Sequence, residues 1–433
     1  MSTALTPSTQ PTTPDPSVAA LLAPRNWKMP VVYGILALVA VLWFGLGAQA
    51  GAHTVFRFSK DGDFLRLPDL VVGAKAATLS VGIVLLALAG FSWWSVARRV
   101  RTGAWLPIVF GVLFVFGFLA WAGADHGVIA TTSLLAGGLT LSVPLIFGAM
   151  SGLVGERSGI VNIAIEGQLL AGAFVAAVTA SLAGNPYAGL VAAPLGGIIV
   201  AVILVFFAVK YWVDQIIIGV VINVLVTGIT SFLFSSVLAK DSSHWNTAFE
   251  LPKLPIPGLA QIPVLGPVLF DQNLLVYLMY VVVIALHILV FRSKWGLRMR
   301  AIGEHPKAAD TVGIKVNRWR VINTLIAGAF AGLGGAFLTI GSGLAFAKDM
   351  SAGQGYIALA SMILGKWNPK GALFAALLFG FVTNLGNALQ AIGSPLPSDL
   401  LSMLPYIVTI FAVAGFVGRV RAPAAEGQPY AKQ

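Results

Sequence analysis

Apolar runs of about 20 residues recur from Val31 to Val417, and no other feature of the chain limits its fold as strongly. A helix rises about 1.5 Å per residue, so such a run crosses a hydrocarbon core roughly 30 Å thick. Inside that core a helix satisfies its own backbone amides, which have no water to bond. The runs lie at 31–49, 76–96, 104–124, 132–153, 160–183, 188–209, 215–238, 273–291, 321–344, 371–391 and 400–418. A further run at 356–365 is too short to cross alone and reads as a short or broken element. The expected fold is an all-α polytopic membrane protein with about 10–12 transmembrane helices. Composition agrees. Charged residues make up 10% and hydrophobic residues 58%, against about 25% charged in an ordinary soluble domain. A typical cytosolic enzyme is excluded, and the apolar content excludes general disorder.

Lys and Arg set the orientation. With the N-terminus inside and the short element crossing together with its flanks, most of the 27 basic residues fall on the cytoplasmic side. They include Arg98, Arg99, Arg101, Arg157, Lys210, Lys366, Lys370, Arg419, Arg421 and the basic stretch 292–320. This positive-inside bias places both termini in the cytoplasm of a multi-pass cell-membrane protein. It also accounts for the net charge of +11 through anionic lipid, without a nucleic-acid partner. Trp27, Trp93, Trp94, Trp105, Trp212, Trp295 and Trp319 stand near span ends, as interfacial anchors do. The chain has no cysteine, hence no disulfide and no thiolate metal site.

Residues 1–29 are expected to be a disordered cytoplasmic tail, rich in Pro, Ser and Thr and lacking the apolar stretch of a signal peptide. Residues 30–126 hold three plainly apolar spans. Gly and polar residues inside spans become denser after Gly127. The expected division is accessory helices at 30–126, a functional core at 127–421 and a cytoplasmic tail at 422–433. Two loops are long: 240–272, external, Pro-rich and nearly uncharged, and 292–320, internal and basic.

Four segments of the core carry polar or backbone-breaking residues. GERSGIVNIAIEGQ, residues 155–168, puts Asn162 and Glu166 four apart, on one face of a helix, with Gln168 beside them. Gly159 and Gly167 favour a turn and a broken helix, which turns polar backbone toward a ligand path. A carboxylate within the bilayer is costly and faces a cavity or a partner, so Glu166 either lines the path or pairs with a neighbouring helix. AIGEHPKAADTVGI, residues 301–314, lies in the basic internal loop. Pro306 suits a first helical turn, and 307–312 can form a short helix that docks on a cytosolic partner or is simply solvated. Gly328 and Gly332 form a GxxxG pair that lets helices pack closely. MSAGQGYIALASMILGKWNPKGAL, residues 350–373, sets glycines around the short element, and Asn368-Pro369 is expected to break the chain beyond it. A broken segment in each half of the core fits an inverted-repeat transporter, although the halves share no alignable identity. Asn223, Asn384, Asn387 and Gln390 are amides within spans. They either glue helices together or hydrogen-bond a neutral polar solute.

There is no GxxxxGK[ST] phosphate loop. His53, His126, His244, His287 and His305 lack metal-ligand spacing. No span carries the several charges of a proton relay, and no catalytic cluster stands at either face.

Together, GERSGIVNIAIEG, RAIGEHPKAADTVGI and MSAGQGYIALASMILGKW resemble the membrane permease of ABC importers of the branched-chain amino acid, simple sugar and nucleoside group. The resemblance covers roughly 132–421 and is closer to the nucleoside-uptake branch. Two unlike permeases pair in that branch, and this chain is more similar to the member with a GERSG-type sequence. Gln168 stands where many relatives have methionine. The resemblance implies a type II importer core with extra N-terminal helices. It also implies a non-enzymatic transport subunit with no cofactor of its own. A cytoplasmic ABC ATPase would hold ATP, a second homologous permease would complete a heterodimer, and an extracytoplasmic solute-binding lipoprotein would deliver a small polar solute. Gly303, Glu304, Pro306, Ala308, Ala309 and Gly313 then fall in the ATPase-coupling loop. Asn162, Glu166, Gln168, Asn223, Asn384 and Asn387 are pathway candidates. The implied mechanism is alternating access, with a nucleoside as substrate and a simple sugar as second choice. A proton-coupled secondary transporter using Glu166 is the rival reading.

Overall fold

Helices with few internal charges dominate the computed structural model, which describes residues 27–59, 63–100, 102, 103, 105–411 and 421–431. Among these, ten helices are long and apolar enough to cross a membrane. They are α1 Lys28–Gly45, α2 Ala74–Ala97, α3 Trp105–Ala122, α4 Thr131–Arg157, α5 Ile165–Ala183, α6 Pro186–Lys210, α7 Gln215–Leu238, α8 Leu274–Arg292, α11 Val316–Gly341 and α13 Pro369–Ala391. Between α8 and α11 lie α9 Lys294–Glu304 and α10 Pro306–Thr311. The short element is α12 Gln354–Leu364. At about 1.5 Å per residue it reaches about 16 Å, half of a hydrocarbon core. The last helix, α14, is Ser398–Phe411, and the rest of the expected span at 400–418 lies outside the described residues. So do most of the expected N-terminal tail, Arg101 and Arg419.

The described residues form two units. One comprises residues up to Thr54 with Val71–Gly127; the other comprises Val55–Leu70 with residues from Val128 onward. In the first, α1 to α3 bury Tyr33, Phe44, Leu85 and Phe110 against one another. Trp93 donates its indole N–H to Pro30 O at 3.1 Å and packs on Trp27, fixing adjacent ends of α1 and α2.

The second unit is centred on α4, α5, α6, α11 and α13. Glycine sets the spacing of three of these helices. A Cβ at Gly197 of α6 would collide with Gly328 O, one at Gly328 with Gly197 O, and one at Gly332 with Ala193 O. Gly172 of α5 meets Gly332 in the same way. The GxxxG pair therefore works as expected, by letting backbones touch. Gly328→Leu is expected to force α6 and α11 apart. The cost is about 3 kcal/mol, read as a lower thermal-unfolding midpoint in detergent.

The connections between α7 and α8 and between α11 and α12 are tied back by polar groups. Lys253 to Pro255 pairs antiparallel with Asp271 to Asn273. The Asn246 amide bonds both backbone groups of Phe346, at 2.8 and 2.9 Å. Asn368-Pro369 starts a helix instead of breaking one. Asn368 caps α13 by accepting from Lys370 N–H, and Pro369 takes the first helical position, where no N–H is needed.

Candidate functional site

The polar residues of 155–168 converge where α5 begins. Residues 158–164 are not helical, so the chain does break between α4 and α5. Asn162 lies in that break and Glu166 in the first turn of α5; they do not share a helix face, because the helix starts only at Ile165. Each has its own partners.

Glu166 is 5% exposed and meets three donors. Its Oε1 accepts from the Ser351 hydroxyl at 2.6 Å and from Gly353 N–H at 2.8 Å. Oε2 accepts from Gly355 N–H at 2.6 Å. Gly353 is the residue preceding α12, and Gly355 lies in its first turn. The carboxylate thus caps the start of α12 from another helix, where the peptide dipoles favour negative charge. Gly353 holds φ at +81°, and a side chain at Gly355 would run into the Glu166 backbone. Both glycines are required for the approach.

Asn162, Gln168 and Ser151 form a second, closed group with no exposure. Asn162 Nδ2 donates to Gln168 Oε1 at 3.0 Å and to Ser151 Oγ at 3.1 Å, and Gln168 Nε2 donates to Asn162 Oδ1 at 3.2 Å. The reciprocal amide pair joins the break to α4 and α5. Asn223 of α7 completes the junction. Its Oδ1 accepts from Gly167 N–H at 2.8 Å, and its Nδ2 donates to Ile163 O at 2.9 Å and Tyr356 OH at 3.1 Å. Four of the six pathway candidates are therefore brought together. Asn384 is apart, donating to Leu134 O at 2.8 Å and gluing α13 to α4; Asn387 is exposed.

Close by, the turn between α12 and α13 is held by α4. Trp367 Nε1 donates to Glu156 Oε2 at 2.7 Å, and Arg157 Nε donates to Trp367 O at 2.6 Å.

The basic loop 292–320 forms α9 and α10, joined at His305, with Pro306 at the first position of α10 as its residue type favours. Its residues divide by burial. Gly303 is buried, with no room for a Cβ beside Arg157 O. Ala309 is buried with Ile302 and Val316. Glu304, Ala308 and Gly313 are exposed, and Pro306 is half-buried. Val312 is 75% exposed, an apolar side chain presented outward at the end of α10.

Residues 134–413 match the family described as branched-chain amino acid transport system / permease component. The chain belongs to that family. The permease is similar along 68% of its length to the guanosine ABC transporter permease protein NupQ of Bacillus subtilis (strain 168), at 39% identity over 95% of that protein. It is 36% identical to the nucleoside ABC transporter permease protein NupC of Lactococcus lactis subsp. cremoris (strain MG1363), over 69% of this chain and 96% of the relative. The guanosine ABC transporter permease protein NupP of Bacillus subtilis (strain 168) matches at 27%, over 73% and 90%. No solved structure matches significantly. The chain is thus a multi-pass membrane transport subunit of the ABC permease type.

Several residues of the permease junction escaped sequence reasoning. Gly353 and Gly355 were visible only as glycines around the short element and Tyr356 as part of its apolar run, while Ser351 and Ser151 were not singled out. The available signal was pairwise: an unpaired carboxylate at one break, and free helix N–H groups at another.

Proposed function

We propose that this permease forms one half of the path of an ATP-driven importer and carries a nucleoside into the cell by alternating access. The observation that carries the substrate class is the 39% identity across 95% of a guanosine permease. Two unlike relatives in one bacterium, NupQ and NupP, support pairing with a second, homologous permease. ATP is bound and hydrolysed on a separate cytoplasmic ATPase, which meets the outward face of α9 and α10 at Glu304, Ala308, Val312 and Gly313. A solute-binding lipoprotein serves the opposite face. Both termini are cytoplasmic in this reading. Residues 127–421 translocate, and 30–126 have an accessory role. Asn162, Glu166, Gln168 and Asn223 hold the junction between α5, α7 and α12, whose rearrangement opens one side and closes the other.

Uptake of labelled guanosine and glucose, in cells with and without the gene, tests the proposal. Guanosine uptake is expected to vanish with the gene and to survive a protonophore while ATP is maintained. Loss of glucose uptake alone moves the substrate to a sugar. Collapse with the protonophore moves the mechanism to proton coupling through Glu166.

A further inference from the structure

Residues 421–431 lie against three elements of the second unit. At the end of α9, Ala425 N–H donates to Gly303 O at 2.8 Å and Ala424 N–H donates to Glu304 Oε2 at 3.3 Å. At the break between α4 and α5, Gly427 N–H donates to Gly159 O at 3.2 Å. On α11, Arg320 Nη1 donates to Gln428 O at 2.7 Å and Nη2 to Ala425 O at 3.4 Å, while Asn317 Nδ2 donates to Tyr430 O at 3.4 Å. Pro423, Ala425 and Tyr430 are buried, and Tyr430 packs with Ile302, Ala309 and Val316.

Two features show that this seat is built for the segment. Arg320 is 2% exposed, and its guanidinium is met by the segment's main-chain carbonyls. A charge so buried needs those acceptors. Gly159 holds φ at +89°, and a side chain there would press on the Arg320 guanidinium and approach Ala425 O. The Glu426 side chain meets that of Glu156, and burial pushes the Glu426 carboxyl above the ordinary carboxylate range. Ala425 is central: its N–H is fixed on α9 and its C=O on α11.

We propose that 421–431 is a strap belonging to the coupling apparatus: it ties α9 and α10 to the 158–164 break and to α11, so that displacement of the ATPase-facing helices reaches the junction at Asn162 and Glu166. The proposal rests on the ATP-driven reading. It gives a surface-attached segment a positioning role for transport, with Arg320 as its grip.

The test uses the full complex, purified and reconstituted, with the chain intact or ended before Arg421. Uptake and ATP hydrolysis are measured together. The expected result is that the shortened chain still assembles with the ATPase through α9 and α10, while solute moved per ATP hydrolysed falls about tenfold. A purely structural segment lowers uptake and hydrolysis together and leaves their ratio unchanged; that result overturns the strap. If the shortened chain fails to assemble, Ala425→Leu decides, since it crowds the seat while keeping Arg320 and most of the segment. An unchanged ratio in folded Ala425→Leu overturns the proposal, and a reduced ratio supports it. If the intact chain recovers no ATPase at all, the ATP-driven reading fails first, and the strap's coupling role fails with it.

Discussion

Glu166→Ala is expected to free the start of α12 and to raise amide exchange at 351–356 by about 100-fold in detergent or nanodiscs. The carboxylate accepts from Ser351, Gly353 and Gly355, all at 2.6 to 2.8 Å, at a position almost closed to solvent. A hydrogen bond to a charged group contributes roughly 1.5–3 kcal/mol, and a buried donor left without a partner costs roughly 1–3 kcal/mol. Removing all three bonds at once is therefore expected to cost about 3 kcal/mol or more, even if water replaces one partner. Glu166→Gln separates charge from shape. It can keep an acceptor toward Ser351 and Gly353 but turns an amide NH2 against Gly355 N–H, donor to donor. Its effect on exchange is expected to fall between that of the parent and that of Ala. Parent-like exchange across 351–356 in the Ala variant would rule the clamp out. Uptake per folded chain then separates the two roles the sequence left open for this residue. A path-lining carboxylate changes substrate affinity, whereas a clamp changes the fraction of chains that turn over.

Legibility in the sequence followed the range of the interactions. The spans could be read because hydrophobicity along about 20 residues is a local sum that lipid enforces one helix at a time. The break near Gly159, the start of α10 at Pro306 and the close packing at Gly328 could be read for the same reason, since each is a property of a few adjacent residues. The contact of Glu166 with Ser351 joins residues 185 apart, and no periodicity relates them. Asn162 and Glu166 share a face only if the helix between them is unbroken. The chain leaves helical geometry at Ser158, and from there the spacing of four has no angular meaning. The docked segment 421–431 was invisible for a different reason. Its sequence is short and rich in Ala and Pro, with no periodicity, and it is held largely through main-chain groups, which every sequence possesses.

The loop between α8 and α11 yields the second large effect, because two of its residues should fail in different ways. Gly303→Trp is expected to abolish folded protein and not simply to uncouple it. No Cβ fits beside Arg157 O, and Gly303 O also accepts from Ala425, so an indole there must lift α9 from α4 and unseat 421–431 together. Val312→Asp should do the opposite. The side chain is 75% exposed, at the edge of an open cleft lined by Arg298, Lys315 and Arg318, so yield and thermal stability should stay within about 0.5 kcal/mol of the parent. If α10 docks in a groove of the ATPase, the same carboxylate must be desolvated on docking. Association should then weaken by at least about 2 kcal/mol, some 30-fold, in a titration of ATPase onto the reconstituted chain. Equal binding by Val312→Asp and parent would remove this end of α10 from the interface. A well-folded Gly303→Trp chain would show that α9 can detach from α4 without loss, which the burial of Gly303 argues against. Loss of fold at the buried glycine with loss of binding alone at the exposed valine would separate the part of the loop that supports from the part that docks.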